Sequence, residues 1–456
     1  MFALSTPPGG SRSTPRSTGL VALAATMLLA GSAADAHAAG SVVRVEGDAE
    51  TGYRLVRDGT PFRIRGAAGI DHLEVLAACG GNAIRTWDAE SAARETDGES
   101  LLDRAQRLGI AVTIGLWLGH ERHGFRYDDP VQVERQRRDV EAAVRRFKDH
   151  PALLSWGLGN EMEGPTSNGA NEQIWREVNH LAELIASIDP NHPVMTVVAN
   201  VNDDKVAAIV RHAPAVDILG INAYAGAGGV GEAARRMGWH KPYCVTEYGL
   251  PGPWETAQTE WKAPIEPTSR QKAATYATTT ADILADEKQC LGSYAFLWGS
   301  KQEATASWFG MFLPTGEKTI TVDAVTKAWT GAWPANRAPV LEEADVPLAN
   351  RTLAGGATMT ATARYRDPEG RDLRYEWEVR RESNDRREGG DREREPALVA
   401  GCIAEATTDG RVVVQAPREP GGYRLFVTVR DGEGSGCIDN WPFAVGPEAS
   451  VPAGPR

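Results

Sequence analysis

Cysteine is scarce in this chain, with five in 456 residues, too few for a disulfide scaffold. The Cys and His residues show no CxxC or HxxxH spacing, so no metal site is expected. Positive charge is in deficit too: 49 Lys and Arg against 61 Asp and Glu leave a net charge of −12. Phosphate binding needs clustered cations, so nucleic acid is not an expected partner. No G-x-G-x-x-G follows the first strand-like run, which speaks against a dinucleotide, and no cofactor is expected. No apolar run is long enough to span a bilayer. The remainder, 42% hydrophobic and 24% charged, is ordinary for a globular protein. Thirteen Trp stand out, since flat aromatic faces suit stacking on apolar surfaces, sugar rings included.

Arg12 and Arg16 precede an apolar run over 20–30, and small residues then lead to Ala36-His37-Ala38. That order of charged, apolar and A-x-A regions is a signal peptide, expected to be cut after Ala38 and to place the protein in the periplasm or outside the cell. Export permits disulfides. Cys402 and Cys437, both in the C-terminal region, are the expected pair, and Cys244 with Cys290 a second candidate.

After a hairpin-like stretch over 42–58, short apolar runs occur at 62–69, 82–87, 111–118, 153–161, 192–200, 216–224, 242–249 and 291–299. Most are too apolar for one-sided strands and fit strands buried on both faces, as in parallel sheets. Helical stripes lie between them, such as Val140, Val144 and Phe147, or Val178, Leu181 and Ile185, and a last helix covers 322–329. The runs recur about every 33 residues, the length of a βα unit. Eight such units predict a (β/α)8 barrel over 39–333; the runner-up is an open doubly wound sheet. Near Trp333-Pro334 the pattern changes to strand-like runs at 359–365, 373–379, 411–415 and 423–430, separated by Asp-Pro-Glu-Gly and Asp-Gly-Glu-Gly turns. This predicts a linker at 334–340, an Ig-like all-β sandwich over 341–447 with Trp377 in its core, and a tail at 448–456. The sandwich is read as packing or spacing, and its charged run 382–395 as a solvated, flexible hairpin.

In a barrel of this kind, chemistry sits at the C-terminal ends of the strands. The fourth run ends Trp156-Gly157-Leu158-Gly159-Asn160-Glu161 and the seventh Val245-Thr246-Glu247-Tyr248-Gly249. Each delivers a glutamate to the same rim, where a charge closing an apolar strand is costly without a role or a partner. Paired carboxylates across a cleft are what glycoside cleavage needs, one neutral to protonate the leaving oxygen and one ionised beneath the anomeric carbon.

These residues carry a resemblance. Asn160-Glu161 is similar to the fourth-strand signature of clan A glycoside hydrolases, the retaining (β/α)8 group. Thr246-Glu247-Tyr248-Gly249 resembles the nucleophile strand of its families 2, 5 and 72, and VDILGINAY over 216–224 resembles their sixth strand. The likeness spans roughly residues 40–333. It implies Glu161 as acid/base, Glu247 as nucleophile, and Asn160 on the 2-hydroxyl of the reacting sugar. Around these, Tyr224 is expected to donate its phenol to Glu247, Arg85 to hold Glu247 charged, and Trp298 to floor the sugar site. His120 and Trp87 are expected sugar contacts, with Trp254, Trp261 and Trp308 as further stacking candidates. Glu121 and Asp88 are additional rim acids, and Glu163 ranks second for acid/base. The function implied is retaining hydrolysis of a β-linked oligo- or polysaccharide. Two alternatives are a β-glucan transglycosylase using the same residues and a non-catalytic carbohydrate-binding barrel.

Overall fold

The computed structural model describes residues 40–163, 169, 171–387 and 390–446. The expected signal peptide and C-terminal tail lie outside the described residues. Everything below concerns the compact unit that begins at Ala39.

The eight expected runs form β1 (Ile64–Ala68), β2 (Ala83–Arg85), β3 (Ala111–Leu116), β4 (Leu153–Leu158), β5 (Val194–Ala199), β6 (Ile218–Asn222), β7 (Tyr243–Tyr248) and β8 (Cys290–Ala295). They close into one barrel, with β8 pairing in parallel to β1 through Gly292 and Ile64. Every residue of β3, β4, β6, β7 and β8 is buried, because helices cover the outside and side chains fill the inside. Those helices are α1 (Leu73–Ala78), α2 (Leu101–Arg107), α3 (Pro130–Phe147), α4 (Glu172–Ile188), α5 (Asp203–His212), α6 (Val230–Arg236), α7 (Ser269–Ala285) and α8 (Ile320–Thr330). In α4 the residues Ile174, Val178, Leu181 and Ile185 are buried at three- and four-residue spacing, a stripe that faces the sheet. Asp129 caps α3 ahead of Pro130, and Thr268 with Gln271 forms a capping box on α7, so both long helices start where the sequence provides acceptors. Gly66 leaves room inside the barrel, since a Cβ there would lie 2.3 Å from the Tyr294 ring. Tyr294 fills that space, its hydroxyl 2.7 Å from Thr113, and plugs the barrel below the rim.

The C-terminal region is a sandwich of two four-stranded sheets. One sheet orders β9 (Val340–Asp345), β11 (Thr358–Arg366), β14 (Arg411–Gln415) and β13 (Ile403–Ala406). The other orders β10 (Thr352–Leu353), β16 (Gly436–Val445), β15 (Gly421–Arg430) and β12 (Arg374–Arg381). Trp377 is in the core, as expected. The stretch over 334–340 is not a free spacer: Ala338 is fully buried and donates its N–H to Asp323 of α8 at 2.6 Å.

All five cysteines are buried free thiols. The expected Cys402–Cys437 bridge is corrected by position along the strands. Cys402 accepts from Gln415, which pairs with Thr358 at one end of β11. Cys437 lies near Asp439, which takes the Tyr365 hydroxyl at the other end of that strand. Seven residues of strand separate Thr358 from Tyr365, about 23 Å at ~3.3 Å per residue, far beyond a disulfide's reach. Cys244 and Cys290 are close, both donating to the Gly292 carbonyl at 3.2 and 3.4 Å, but are unbonded.

The sandwich docks on the barrel through buried polar groups of β16. Asp439 accepts from the N–H and hydroxyl of Ser269 at the start of α7, at 2.5 and 2.6 Å, and from the Tyr365 hydroxyl. Asp439→Ala should lower unfolding free energy by about 3 kcal/mol, because it orphans three buried donors. A lower urea midpoint at unchanged slope checks this; an unchanged midpoint would show the joint to be weak.

Candidate active site

The carboxylates of Glu161 and Glu247 meet at the C-terminal mouth of the barrel. Glu247 sits within β7, and Glu161 follows β4 in a left-handed turn at φ 50°, its N–H bonded to Val197 of β5 at 2.9 Å. That turn lifts the Glu161 side chain out of strand alternation.

Three donors converge on Glu247. Arg85, at the end of β2, donates from Nη1 to Oε1 at 2.9 Å, and the Trp87 indole N–H reaches the same oxygen at 2.9 Å. The Tyr224 hydroxyl donates to Oε2 at 2.8 Å. Burial, then the nearby Glu247 charge, push the Tyr224 phenol well above its ordinary range, so it stays a donor. One cation and two neutral donors thus hold one carboxylate in place through charge-assisted and neutral hydrogen bonds.

Glu161 has the opposite surroundings. Burial, then the charge of Glu247, push its carboxyl up to about 7. One hydrogen bond opposes this, from Asn222 Nδ2 to Glu161 Oε1 at 2.7 Å. Asn222 also donates to Asn160 at 3.1 Å, and its own carbonyl accepts from Thr246 at 2.8 Å, which fixes the amide's orientation. Asn160 Oδ1 takes a hydrogen bond from Arg85 Nη2 as well. Among the described residues, both hydrogen bonds of the Asn160 side chain are to its Oδ1, and its amide N–H₂ has no partner. A single network therefore joins both carboxylates, Asn160, Asn222 and Arg85.

Arg85, Tyr224, Asn160 and Trp87 thus gather where expected, though Trp87 acts through its N–H on Glu247. His120 is buried and stacks on Trp117 at 4.6 Å; burial lowers its pKa to about 4, so it is neutral. Trp298 is a correction. It packs between the barrel and its helices, against Trp329 and Phe312, because the chain turns its side chain outward there. Phe296 faces the mouth instead, edge-on to Trp87 and Tyr224 at 6.2 and 5.6 Å. Trp254 is 62% exposed beside Tyr224. Trp308 is buried and donates to the Pro251 carbonyl, and Trp261 lies against Gly422 of the sandwich. Glu163 is buried in an ion pair with Lys205 at 2.8 Å, which makes it structural. Glu121 binds Asn171, and Asp88 caps the Ser91 N–H.

Asn222, Phe296 and the half-exposed Trp117 were missed. For Asn222 a signal existed, since it is the polar residue that ends the apolar run of β6.

Residues 98–251 match the family described as "Glycosyl hydrolases family 2, TIM barrel domain", a stretch that holds both glutamates. The matched stretch runs from just before α2 to just past β7. Among similar proteins, the "Beta-glucuronidase" of Chlorocebus aethiops is 30% identical over 162 residues, covering 34% of this chain and 21% of that protein. The "Probable mannan endo-1,4-beta-mannosidase F" of Aspergillus flavus is 27% identical over 177 residues, covering 32% of this chain and 34% of its own. Among solved structures, the GH2 beta-galacturonidase of Eisenbergiella tayi aligns at a TM-score of 0.48 and 16% identity, covering 64% of this chain and 54% of that one. The chain spans between a fifth and a third of the length of these curated relatives.

Because Asn222 lowers the pKa of Glu161, Asn222→Ala should raise its titration midpoint above about 7. Carbon-13 NMR of the labelled carboxyl reads this directly, and a midpoint that falls would overturn the role given to Asn222.

Proposed function

We propose that this chain is an exported, retaining hydrolase of β-linked glycosides, with Glu161 as acid/base and Glu247 as nucleophile. One observation carries the reading. Two carboxylates share the mouth in unlike surroundings: Glu161 is pushed toward its protonated form, while three donors converge on Glu247, the arrangement double displacement uses. Names of β-glycosidases among the similar proteins support a β-linked substrate.

In the first step the Glu247 carboxylate attacks the anomeric carbon, and the bond to the leaving oxygen breaks. The proton of Glu161 passes to that oxygen. In the second step Glu161 takes a proton from water, the resulting hydroxyl attacks the same carbon, and the ester to Glu247 breaks. Asn160 is placed to bind a sugar hydroxyl beside the reacting carbon. Tyr224, Trp87 and Arg85 hold Glu247 in position and disperse its charge, so that no reorganisation is needed when it reacts.

Proton NMR of the first-formed sugar from a 4-nitrophenyl β-glycoside panel should show the β-anomer; immediate α-anomer would sink the mechanism. Glu247→Gln should keep its fold and lose at least about 10³-fold in turnover, since the nucleophile is gone.

The proton on Glu161 sets the alkaline side of the pH profile. It is present below about pH 7 and lost above it, so kcat/KM should fall as pH rises through that value. In Glu161→Ala the loss should be small for a leaving group that departs without a proton, and that alkaline limb should vanish. A limb that persists in Glu161→Ala would assign it to another group.

Transglycosylation is a second reading, favoured by the exposed faces of Trp254 and Trp117 beside the mouth. Product sizing with added sugar acceptor separates the two.

A further inference from the structure

The charged run over 382–395 is not a free hairpin. It leaves the sandwich between β12 and β13 and lies on the barrel rim through residues 385–387 and 390–395. At the loop that follows β8, Glu393 accepts the N–H of Ala304 at 2.7 Å, and Lys301 donates to the Gly390 carbonyl at 2.5 Å and to Glu303 at 3.0 Å. At the loop that follows β3, Asp391 pairs with His123 at 3.2 Å and Arg122 at 3.6 Å. Within the run, Glu393 accepts from the N–H of Arg387 at 3.1 Å, so the segment is cross-braced.

We propose that this loop of the sandwich is a wall of the substrate mouth, fixing which side of the barrel a glycan enters from. The inference rests on the glycosidase reading above.

The barrel order carries the argument. Between the two catalytic strands, one arc of the rim contains β5 and β6, and the other contains β8, β1, β2 and β3. The loop fastens to both ends of the second arc, at β8 and at β3, and so crosses that side. Both footings are near the reaction centre. Glu303, held by Lys301, is close enough for the Glu247 charge to bear on it, and Glu303 in turn bears on Tyr224. His123 stacks on His120 at 5.3 Å, and His120 stacks on Trp117. A sugar chain bound across both carboxylates is therefore limited on the side of β8, β1, β2 and β3. Asp391 and Glu393 touch no reacting atom; they are positioning residues that select substrate length.

The test replaces residues 384–394 with a short Asn-Gly turn, keeping Glu382 and its bonds to Arg424. Hydrogen exchange in peptides covering 116–127 and 299–306 should quicken by about tenfold or more, because the amide of Ala304 loses its acceptor. Using the 4-nitrophenyl β-glycoside that the wild type hydrolyses best and the hexasaccharide of the same sugar, the ratio of kcat/KM for long over short should rise by about tenfold. Faster exchange with an unchanged ratio overturns the proposal, as does unchanged exchange. If the wild type hydrolyses no β-glycoside, the function reading fails, while exchange still reports on the contact. If the shortened chain does not fold, Glu393→Ala should move both readouts in the same direction. Glu393→Gln, which keeps an acceptor for Ala304, should restore them, and failure to restore overturns the role of Glu393.

Discussion

A guanidinium shut away from water needs partners, and Arg85 is shut away almost completely, with 2% of its side chain exposed. Its partners are the parts that must be held in register: Glu247 on β7, Asn160 after β4, and the Thr246 carbonyl. A single cation rising from β2 thus ties together the two strands that carry the carboxylates. Removing one member of such a buried pair leaves an uncompensated charge, at roughly 3–5 kcal/mol. That cost makes the spacing of the site rigid, and rigidity is what a near-attack geometry requires.

The same cation explains why two similar glutamates behave differently. Glu247 takes its ion-paired hydrogen bond, and the indole and phenol add two more. Glu161 meets a single amide donor and faces the Glu247 charge, so burial dominates its proton affinity. Neither residue carries its role in its own chemistry. The roles follow from which strand end the donors occupy.

The barrel was legible because strands buried on both faces are apolar without interruption, and because eight of them at one spacing leave few topologies. Glu161 and Glu247 were legible as charges ending such runs. Trp298 was misread because strand alternation does not hold past the end of β8, and the aromatic facing the mouth is Phe296. Asn222 was passed over because its value lies in bridging two residues far away in sequence. In the sandwich, β16 reads GCIDNWPFAV, and its Asp439 and Asn440 break the apolar pattern because that strand is buried against the barrel. The run 382–395 reads as solvated because several of its charges find partners far away in sequence, among them Arg122, His123 and Arg424.

The joint between barrel and sandwich has its own buried carboxylate. Glu266, on the loop between β7 and α7, accepts from Thr305 at 2.6 Å and Ser307 at 2.9 Å, and from Asn440 of β16 at 2.7 Å. Lys272 pairs with it, and the charges of Lys272 and Arg424 outweigh its burial and hold its pKa below the ordinary range. Arg424, itself buried, spans from Glu382 and Asn440 to the Pro264 carbonyl. The loops that follow β7 and β8 flank Glu247, and both are thereby fastened to the sandwich by fully satisfied buried charges. Such a network is stable only when every member is present. The sandwich is therefore a structural condition for the shape of the mouth beside Glu247, and a barrel cut away from it would leave Glu266 without its Asn440 donor and the Pro264 carbonyl without Arg424.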